Sequence, residues 1–289
     1  MVDVVSGSSG FIASHLRVSL PDAIGLDKRE SRWTDVVADL SDPYFAWGGE
    51  PVDVLYHLTA SPLSIVKGKG GWLADSANTF KNNTIATYNV LRELKPKRIV
   101  FASTANLYGE GRKLGEDSPV KISSGYGYSK WVAEEIIRKS GIPYTIYRFG
   151  TVVGARGRCF PNRLVWCAVH GEPVELFCGG ESWRDIVDVR DIVSALQLEA
   201  PCDTFNVSMG EEVSGLALAE LVAEEALSRG FKLIYTVGHK HPNGYVKEST
   251  LSIDKIRREL GWQPRYDIYR IIEGLFDYYE DNEAKEPPK

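Results

Sequence analysis

The sequence DVVSGSSGFIA fills residues 3–13 and joins a short apolar run to two closely spaced glycines. The apolar run predicts a first strand, and the residues from Gly10 onward predict a helix. Gly7 permits a tight turn between them, and Gly10 lets a pyrophosphate approach the backbone at the helix N-terminus, where anions are favoured. Ala13 allows the helix to pack closely on the sheet. This strand, turn and helix together indicate a dinucleotide-binding unit.

Apolar runs and helical patterns alternate through the first half of the chain. Such alternation implies a parallel sheet with helices on both faces, so we predict a Rossmann-type, doubly wound α/β fold. Further strands are expected at residues 23–27, 36–39, 52–57, 98–103 and 144–148, and helices at 10–20, 77–94 and 127–139.

The pattern loosens after Gly150. We therefore predict a dinucleotide-binding domain at residues 1–150, rejoined by residues 186–210, and a smaller mixed α/β substrate lobe at residues 151–289. Residues from Asp281 onward are charged and carry two prolines near their end, which predicts a frayed tail. Helices of the second part are expected near residues 162–170, 190–199, 215–228 and 252–260.

The composition is that of an ordinary globular protein, with 289 residues of which 43% are hydrophobic and 25% charged. The net charge of -5 and the pI near 5.7 argue against a surface for nucleic acid or for an anionic membrane. No apolar run approaches the ~20 residues of a membrane span. The first residues are too short and too acidic a segment for a signal peptide.

The four cysteines form no Cys-x-x-Cys pair and lie in apolar contexts, as reduced core cysteines do. We therefore expect a cytoplasmic protein without structural disulfides. His239 and His241 are a candidate pair for zinc, but two histidines in a polar loop are more often solvated. We expect no metal site.

Two carboxylates follow predicted strands at positions suited to the adenosine half of a dinucleotide. Asp27 ends the second strand, where a carboxylate binds ribose hydroxyls. Its charge would repel the 2′-phosphate of NADP and so favours NAD, although Lys28 and Arg29 directly after it weaken that preference. Asp39, with Leu40, lies where the adenine amino group could be met, and a helix N-cap is the other reading of Asp39.

Residues 126–130 read Tyr126-Gly-Tyr-Ser-Lys130, on a predicted helix that follows the strand ending at Ser103. Side chains at i and i+4 share one face of a helix, so Lys130 lies beside Tyr126. An unperturbed phenol has a pKa near 10, and a base useful near neutral pH needs that pKa lowered by roughly 3 units. The ammonium supplies part of this lowering, and a cationic nicotinamide ring would supply more. A surface tyrosine packed on a lysine stem is the alternative interpretation.

These motifs, in this order, resemble the extended short-chain dehydrogenase/reductase family, specifically its nucleotide-sugar epimerases and dehydratases. The resemblance covers nearly the whole chain. The residues that carry it are Gly7-x-x-Gly10-Phe-Ile, Asp27, Asp39-Leu40, His57-Leu-Thr-Ala60, Asn83, Ser103-Thr104-Ala-Asn-Leu-Tyr108-Gly109, Tyr126-x-x-x-Lys130, Arg148, Arg184-Asp-Ile-Val-Asp188-Val-Arg-Asp191 and Leu260-Gly-Trp-x-Pro264.

The resemblance implies a role for several of these positions. Tyr126 would be the catalytic base, and Lys130 would hold the nicotinamide ribose and lower the pKa of Tyr126. Thr104 would hydrogen-bond the reacting sugar hydroxyl, with Ser103 beside it. Arg184 would bind a substrate phosphate, since guanidinium geometry suits bidentate contact; a local salt bridge is the alternative. NAD would be bound by Gly7, Ser9, Gly10, Phe11, Ile12, Asp27, Lys28, Asp39, Leu40, Leu58, Thr59, Ala60, Asn83, Tyr126 and Lys130.

The residues after Thr104 distinguish members of this family. Similar 4,6-dehydratases carry an Asp-Glu pair there that eliminates water, whereas this chain has Ala105 and Asn106, and similar 4-epimerases have small or neutral residues. The resemblance therefore implies C4 epimerisation of a UDP-sugar through a transient 4-keto intermediate, with no net change in NAD. The alternatives are a nucleotide-4-keto-sugar reductase or sugar dehydrogenase with net redox turnover, and a non-catalytic dinucleotide-binding sensor.

Three stretches depart from the family pattern. Thr151 stands where many relatives carry a phosphate-binding Asn, and we take it as a substrate contact. Residues 240–244 replace a familiar Arg-Pro-x-Asp stretch. Residues 62–75 form a Gly- and Lys-rich loop, which either covers the sugar or is a solvated surface loop.

The predicted helices at 77–94 and 127–139 also suggest an oligomeric state. The second helix carries Trp131, Val132, Ile136 and Ile137, which is more apolar surface than one contact with the sheet requires. We therefore expect a homodimer in which the two helices pair with their symmetry mates as a four-helix bundle.

Overall fold

The computed structural model describes residues 1–61, 77–241 and 246–281. They divide into two compact units, and each unit is assembled from several stretches of the chain. The first unit holds residues within 1–107, 120–148 and 196–205, and the second holds 108–119, 149–195 and the described residues from 206 onward.

Residues 196–205 thus return to the first unit within the range expected from sequence, whereas the placement of 108–119 in the second unit was not anticipated. In chain order the elements are β1 (Val2–Ser6), α1 (Phe11–Ser19), β2 (Ile24–Asp27), β3 (Val36–Val37), β4 (Val52–His57), a π-helix (Lys81–Ile85), α2 (Ala86–Leu94), β5 (Arg98–Thr104), β6 (Gly111–Leu114), α3 (Gly125–Lys139), β7 (Tyr144–Phe149), β8 (Thr151–Val153), α4 (Phe160–His170), β9 (Val174–Leu176), β10 (Trp183–Asp188), α5 (Val189–Leu196), β11 (Asp203–Val207), β12 (Glu212–Ser214), α6 (Gly215–Ser228), β13 (Tyr235–Val237), β14 (Glu248–Leu251), α7 (Asp254–Leu260) and α8 (Ile268–Glu280).

The larger sheet has seven strands in the order β11-β7-β5-β4-β1-β2-β3. The pairs β1–β2, β2–β3, β1–β4 and β4–β5 are parallel. The chain proceeds from β1 to β2 and β3 on one side and then returns to place β4 on the other side. The crevice beyond the carboxyl ends of β1 and β4 is therefore a topological switch point, where doubly wound folds bind ligands.

The strands of this sheet are apolar because both faces are covered, as expected for parallel sheets. Val4, Leu55 and Ile99 from neighbouring strands are fully buried. Val90 of α2 and Ile137 of α3 pack into the same cluster. The Rossmann-type fold predicted from alternation is confirmed.

The second unit contains a smaller mixed sheet in the order β12-β10-β14-β6, with β8 paired to β10. β12 is antiparallel to β10, and β14 and β8 are parallel to it. A separate parallel pair joins β9 and β13. Leu164 of α4, Val222 of α6 and Phe276 of α8 share one buried cluster.

Two helices differ from the sequence prediction. The helix expected at 77–94 contains the π-helical turn Lys81–Ile85, which shifts the direction of its side chains. Helix α8 was not predicted, although Ile271, Leu275 and Phe276 bury one face of it at helical spacing. Among the described helices, none is long and apolar enough to cross a lipid bilayer.

Candidate functional site

The glycine turn after β1 is built for close approach of a ligand to the backbone. Gly7 has φ +74°, and a Cβ there would lie 2.8 Å from the backbone of Thr59. The Gly10 amide donates to the Gly7 carbonyl at 2.8 Å and closes the turn. Gly10 is also the N-cap of α1 and has no side chain that could accept from the first helical amides. The backbone donors and the positive end of the helix therefore suit an anionic phosphate.

A cavity opens beside this turn within the first unit. Predicted cofactor residues on its wall are Gly7, Gly10, Asp27, Lys28, Asp39, Leu40, Leu58, Thr59 and Ala60. Arg29, which the sequence analysis weighed against the NAD preference, also lines it, as do residues that the sequence did not single out: Ala38, Ser41, Ser61, Asn82 and Ala86.

Asp27 is held in one orientation at this wall. Its Oδ2 accepts hydrogen bonds from the amide and the hydroxyl of Ser9, at 3.1 and 2.7 Å. Its Oδ1 accepts from the Arg29 amide at 2.9 Å. Ser9 was predicted to contact the cofactor, and in this structure it orients the carboxylate that is expected to do so.

Asp39 caps a local turn, and because the described chain has no helix between it and β4, the helix N-cap interpretation is wrong. Its Oδ1 accepts from the amide and hydroxyl of Ser41 at 2.9 and 2.6 Å, which is a local turn. The bond from the Ser41 hydroxyl lowers the pKa of Asp39, with help from Lys28 and Lys81 nearby. Asp39 also lines the cavity, so a charged acceptor faces it.

These features fit a dinucleotide. The turn at Gly7 leaves a space that a side chain would fill, the α1 N-terminus suits a pyrophosphate, and the Asp27 carboxylate suits ribose hydroxyls. Phe11 and Ile12, also predicted as contacts, lie in the first turn of α1. Phe11 packs edge-on against His15 in that helix, with ring centroids 5.6 Å apart.

Tyr126 and Lys130 lie on α3, whose start is fixed by Ser124. The Ser124 hydroxyl accepts from the Gly127 amide at 3.1 Å as an N-cap. A Cβ at Gly127 would lie 2.8 Å from Ile122 and 3.3 Å from the Asn106 carbonyl, so glycine lets the helix approach the end of β5.

This approach brings the predicted catalytic groups of the first unit together. The Thr104 side chain lies close enough to the Tyr126 phenol to lower its pKa. Lys130 is fully buried one turn further along α3, with its Nζ 3.9 Å from the centre of the Phe101 ring. A phenol, a threonine hydroxyl and an ammonium thus converge where β5 ends and α3 begins.

Burial has the largest effect on the pKa values of Tyr126 and Lys130. It raises the pKa of Tyr126 to about 12, against the lowering effect of the Thr104 side chain. Burial also lowers the pKa of Lys130 to about 7, although the charge of Glu134 raises it. The chain by itself therefore lacks the lowered Tyr126 pKa that the sequence led us to expect. That expectation stays a prediction for the protein with its cofactor.

The side chain of Asn83, a predicted cofactor contact, forms hydrogen bonds with other residues of the protein. It is 1% exposed and lies in the π-helical turn. Its Oδ1 accepts from the Ser61 amide at 2.7 Å, and its Nδ2 donates to the Ser129 hydroxyl at 2.9 Å. Ser129 in turn donates to the Tyr126 carbonyl at 2.7 Å. Asn83 therefore joins the loop after β4 to the catalytic helix.

Ser103 also faces away from the predicted reaction site. It is buried, and its hydroxyl donates to Oε1 of Glu134 at 2.5 Å. Glu134 was not among the candidates from sequence. Glu134 could have been found from sequence, because it follows Lys130 at the same four-residue spacing that separates Lys130 from Tyr126.

The predicted substrate contacts Thr151 and Arg184 both belong to the second unit. Thr151 begins β8 and is partly exposed. The Arg184 guanidinium donates to the carbonyls of Val246 at 2.6 Å and of Trp183 at 2.8 Å. These backbone acceptors hold it between β10 and the residues just before β14.

Other predictions fall partly outside the described chain. The Gly- and Lys-rich loop at 62–75 does so entirely, and of residues 240–244 only the first two are described. Within residues 1–61, 77–241 and 246–281, no group of three or more His, Cys, Asp or Glu side chains could hold a metal ion.

Comparison with known proteins bears on the whole arrangement. Residues 4–202 match the family described as NAD dependent epimerase/dehydratase family. The chain is 29% identical over 260 residues to an uncharacterized UDP-glucose epimerase of Bacillus subtilis, covering 76% of this chain and 81% of that protein. It is 26% identical over 334 residues to a UDP-glucose 4-epimerase of Lacticaseibacillus casei, with 98% of each chain covered.

A solved structure has the same fold. It is a variant of a UDP-glucuronic acid 4-epimerase of Bacillus cereus, in complex with UDP-4-deoxy-4-fluoro-glucuronic acid and NAD. The TM-score is 0.83 at 23% identity, covering 97% of this chain and 99% of that one.

Proposed function

This chain belongs to the NAD dependent epimerase/dehydratase family, and we propose that it is a nucleotide-sugar epimerase that inverts C4 of a UDP-sugar through a transient 4-keto intermediate. One observation carries the proposal. Tyr126 lies against Thr104 with Lys130 one turn away, and the residues after Thr104 are Ala105 and Asn106. The site therefore has a base for removing a hydroxyl proton and, at those two positions, no acid–base pair for eliminating water.

The chemistry of each side chain follows from its place. The phenolate of Tyr126 takes the proton of the sugar hydroxyl, and the Thr104 hydroxyl holds the same oxygen. Lys130 stabilises the phenolate by its positive charge. Bound NAD would supply an acceptor for the hydride from the sugar carbon and would return it to the opposite face of the ketone. Tyr126 then gives its proton back to the new hydroxyl, so the net reaction is an inversion.

The cofactor proposed for this site is NAD. Asp27 supports NAD over NADP, because its fixed carboxylate at the cavity wall would repel a 2′-phosphate. Lys28 lines the same wall, but its Nζ donates to Oδ1 of Asn82 at 3.3 Å. Both curated relatives compared above are named as UDP-glucose epimerases, which supports UDP as the nucleotide.

Arg184 is the proposed contact for a substrate phosphate, with Thr151 as a further substrate contact in the second unit. The carbonyls of Trp183 and Val246 hold the guanidinium in one plane. A guanidinium fixed in this way loses little side-chain entropy when it binds an anion.

A homodimer is proposed from the outer face of the first unit. A groove runs between α2 and α3, and large apolar side chains near it are exposed, including Tyr88 at 54% and Trp131 at 38%. Residues lining the groove are Tyr88, Leu91, Arg92, Lys95, Val132, Glu135, Ile136, Lys139, Ser140 and Ile142. A second copy would cover these apolar groups. Light scattering at micromolar concentration should give twice the monomer mass, and a monomer mass would count against the dimer.

A cytoplasmic location is proposed as well. The four cysteines, all within the described ranges, are free thiols, which suits a reducing compartment. Fractionation of the source cells, followed by detection of the protein, tests this.

The enzymatic proposal is tested by incubating the purified protein with UDP-, GDP-, dTDP- and CDP-sugars and identifying products by NMR. We expect a UDP-sugar to equilibrate with its C4 epimer without accumulation of NADH. Net NADH release, or consumption of NAD(P)H with a keto-sugar, would instead identify a dehydrogenase or reductase. Tyr126→Phe should keep the fold and lose turnover by about 10²–10⁴-fold.

A further inference from the structure

A cluster of buried charges lies behind the tyrosine and lysine on the same helix. Glu134, fully buried, is one turn beyond Lys130. Its Oε2 accepts from Nη2 of Arg148 and from Nη2 of Arg138, each at 2.7 Å. Its Oε1 accepts from Nε of Arg148 at 3.0 Å and from the Ser103 hydroxyl at 2.5 Å. One carboxylate thus joins helix α3 to strands β5 and β7.

Glu134 is ionised in this cluster. Burial opposes the charge, but the hydrogen bonds and charge of Arg148, the Ser103 hydrogen bond and the charge of Arg138 outweigh it and lower the pKa of Glu134. A carboxylate that compensates buried cations cannot lose its charge without leaving them unpaired.

The negative charge of Glu134 raises the pKa of Lys130. The titratable groups around it are His57 on β4 and Tyr126 and Glu134 on α3, while the Phe101 ring of β5 lies against its Nζ. Burial lowers the pKa of His57 to about 3, so this ring is neutral. The Tyr126 phenol is neutral as well while its pKa stays near 12. The negative charge that favours the ammonium form of Lys130 therefore comes from Glu134.

Ser103 and Thr104 are consecutive residues of β5, and consecutive side chains of a strand point to opposite faces. The Thr104 side chain lies against Tyr126, and the Ser103 hydroxyl donates a hydrogen bond to Glu134. Both residues at the end of β5 therefore contact side chains of α3.

We propose that Glu134 is a positioning residue, which fixes the end of β5 through Ser103 so that Thr104 stays against Tyr126, and which keeps the Lys130 ammonium in place beside them. The proposal rests on the function proposed above. Glu134 touches no substrate atom in this account and acts through its neighbours.

The charge on Lys130 can be measured without substrate. The protein is labelled at lysine Cε with ¹³C, the Lys130 signal is assigned by its loss in Lys130→Arg, and the signal is titrated. Glu134→Gln should move the Lys130 titration to lower pH by about one unit or more, since it removes the nearby negative charge. Ser103→Ala should leave the titration unchanged. Glu135→Gln is the matched control, because it removes the same charge one residue along, where Glu135 pairs with Arg138 at 2.8 Å.

The positioning of Thr104 through Ser103 is tested by measuring turnover. Ser103→Ala should lower kcat by about tenfold to a hundredfold through misplacement of Thr104, with KM and NAD affinity within about twofold of wild type. Glu134→Asp keeps the charge but shortens the reach to Ser103, so it should titrate like wild type and turn over like Ser103→Ala.

An unchanged Lys130 titration in Glu134→Gln, or wild-type kcat in Ser103→Ala, would overturn the proposal. If Glu134→Gln does not fold, wild-type kcat in both Glu134→Asp and Ser103→Ala would overturn it equally. A wild-type protein that epimerises no sugar would refute the proposed function alone, because the titrations of Lys130 need no substrate.

Discussion

Tyr126 can serve as a base near neutral pH only if cofactor binding changes its ionisation, because burial holds its pKa at about 12. Lowering that pKa to about 8 requires about 5 kcal/mol. A positive charge about 4 Å from the phenolate contributes about 4 kcal/mol at an effective dielectric constant near 20, or roughly 3 pKa units. A bound nicotinamide ring would supply one such charge. We therefore predict that saturation with NAD lowers the pKa of Tyr126 by about 3 units.

Phenolate absorbance measures this shift. The signal of Tyr126 is the difference between the wild type and Tyr126→Phe, recorded across pH with and without NAD. At pH about 9 we expect this phenolate only with NAD bound. By linkage, NAD affinity should rise about tenfold per pH unit above the lowered pKa in the wild type and not in Tyr126→Phe. Tyr128→Phe, which removes a 49% exposed phenol from the same helix, should keep both effects. Ionisation of Tyr126 at the same pH with and without NAD would refute the reasoning.

Three further predictions follow from single contacts. Gly7→Ala should destabilise the protein by about 2–5 kcal/mol and weaken NAD binding, because the left-handed backbone costs about 1–2 kcal/mol and the clash with Thr59 about 1–3; Gly48→Ala, with open space around it, should do neither in urea unfolding and calorimetry. Burial raises the pKa of Asp185 to about 7, so the folded state holds a proton that the unfolded state loses above pH 4, and this contribution to stability falls as pH rises from about 4 to 7. The unfolding free energy of Asp185→Asn should lack this fall, and parallel pH profiles of the two proteins would contradict the assignment. Arg184→Ala should weaken UDP binding by about tenfold to a hundredfold with NAD affinity unchanged, and equal UDP affinity would place the phosphates elsewhere.

The fold was accessible from sequence because its signals are local and repeated. Strands at 52–57 and a helix at 215–228 were predicted with the observed bounds, since apolar runs and helical periodicity both end at clear breaks there. The turn at Gly7 and the carboxylate of Asp27 follow from the chemistry that a strand–turn–helix unit needs. Where each side chain points within that unit was less accessible. Ser9 bonds Asp27 in this structure, which depends on rotamers that composition does not encode.

Asn83 illustrates a second limit of prediction from sequence. Its position in the sequence suggested a cofactor contact, but the π-helical turn rotates it toward Ser61 and Ser129. A single inserted turn of this kind leaves no mark in a hydrophobic pattern, because the period before and after it is still helical. The cofactor contact expected of Asn83 therefore stays a prediction, whereas its bonds to Ser61 and Ser129 were not accessible from sequence.

The Tyr-x-x-x-Lys spacing describes only the first half of a longer pattern. On α3 the same interval continues from Lys130 to Glu134 and from Glu134 to Arg138, so a phenol, an ammonium, a carboxylate and a guanidinium follow one another along one face. Charges of alternating sign at this spacing stabilise each other, and each buried charge lowers the desolvation cost of the next. The series begins beside Thr104 and ends at Arg138, whose side chain is 26% exposed and so reaches water. Within this series the charge of Glu134 favours the charged form of Lys130, which burial opposes.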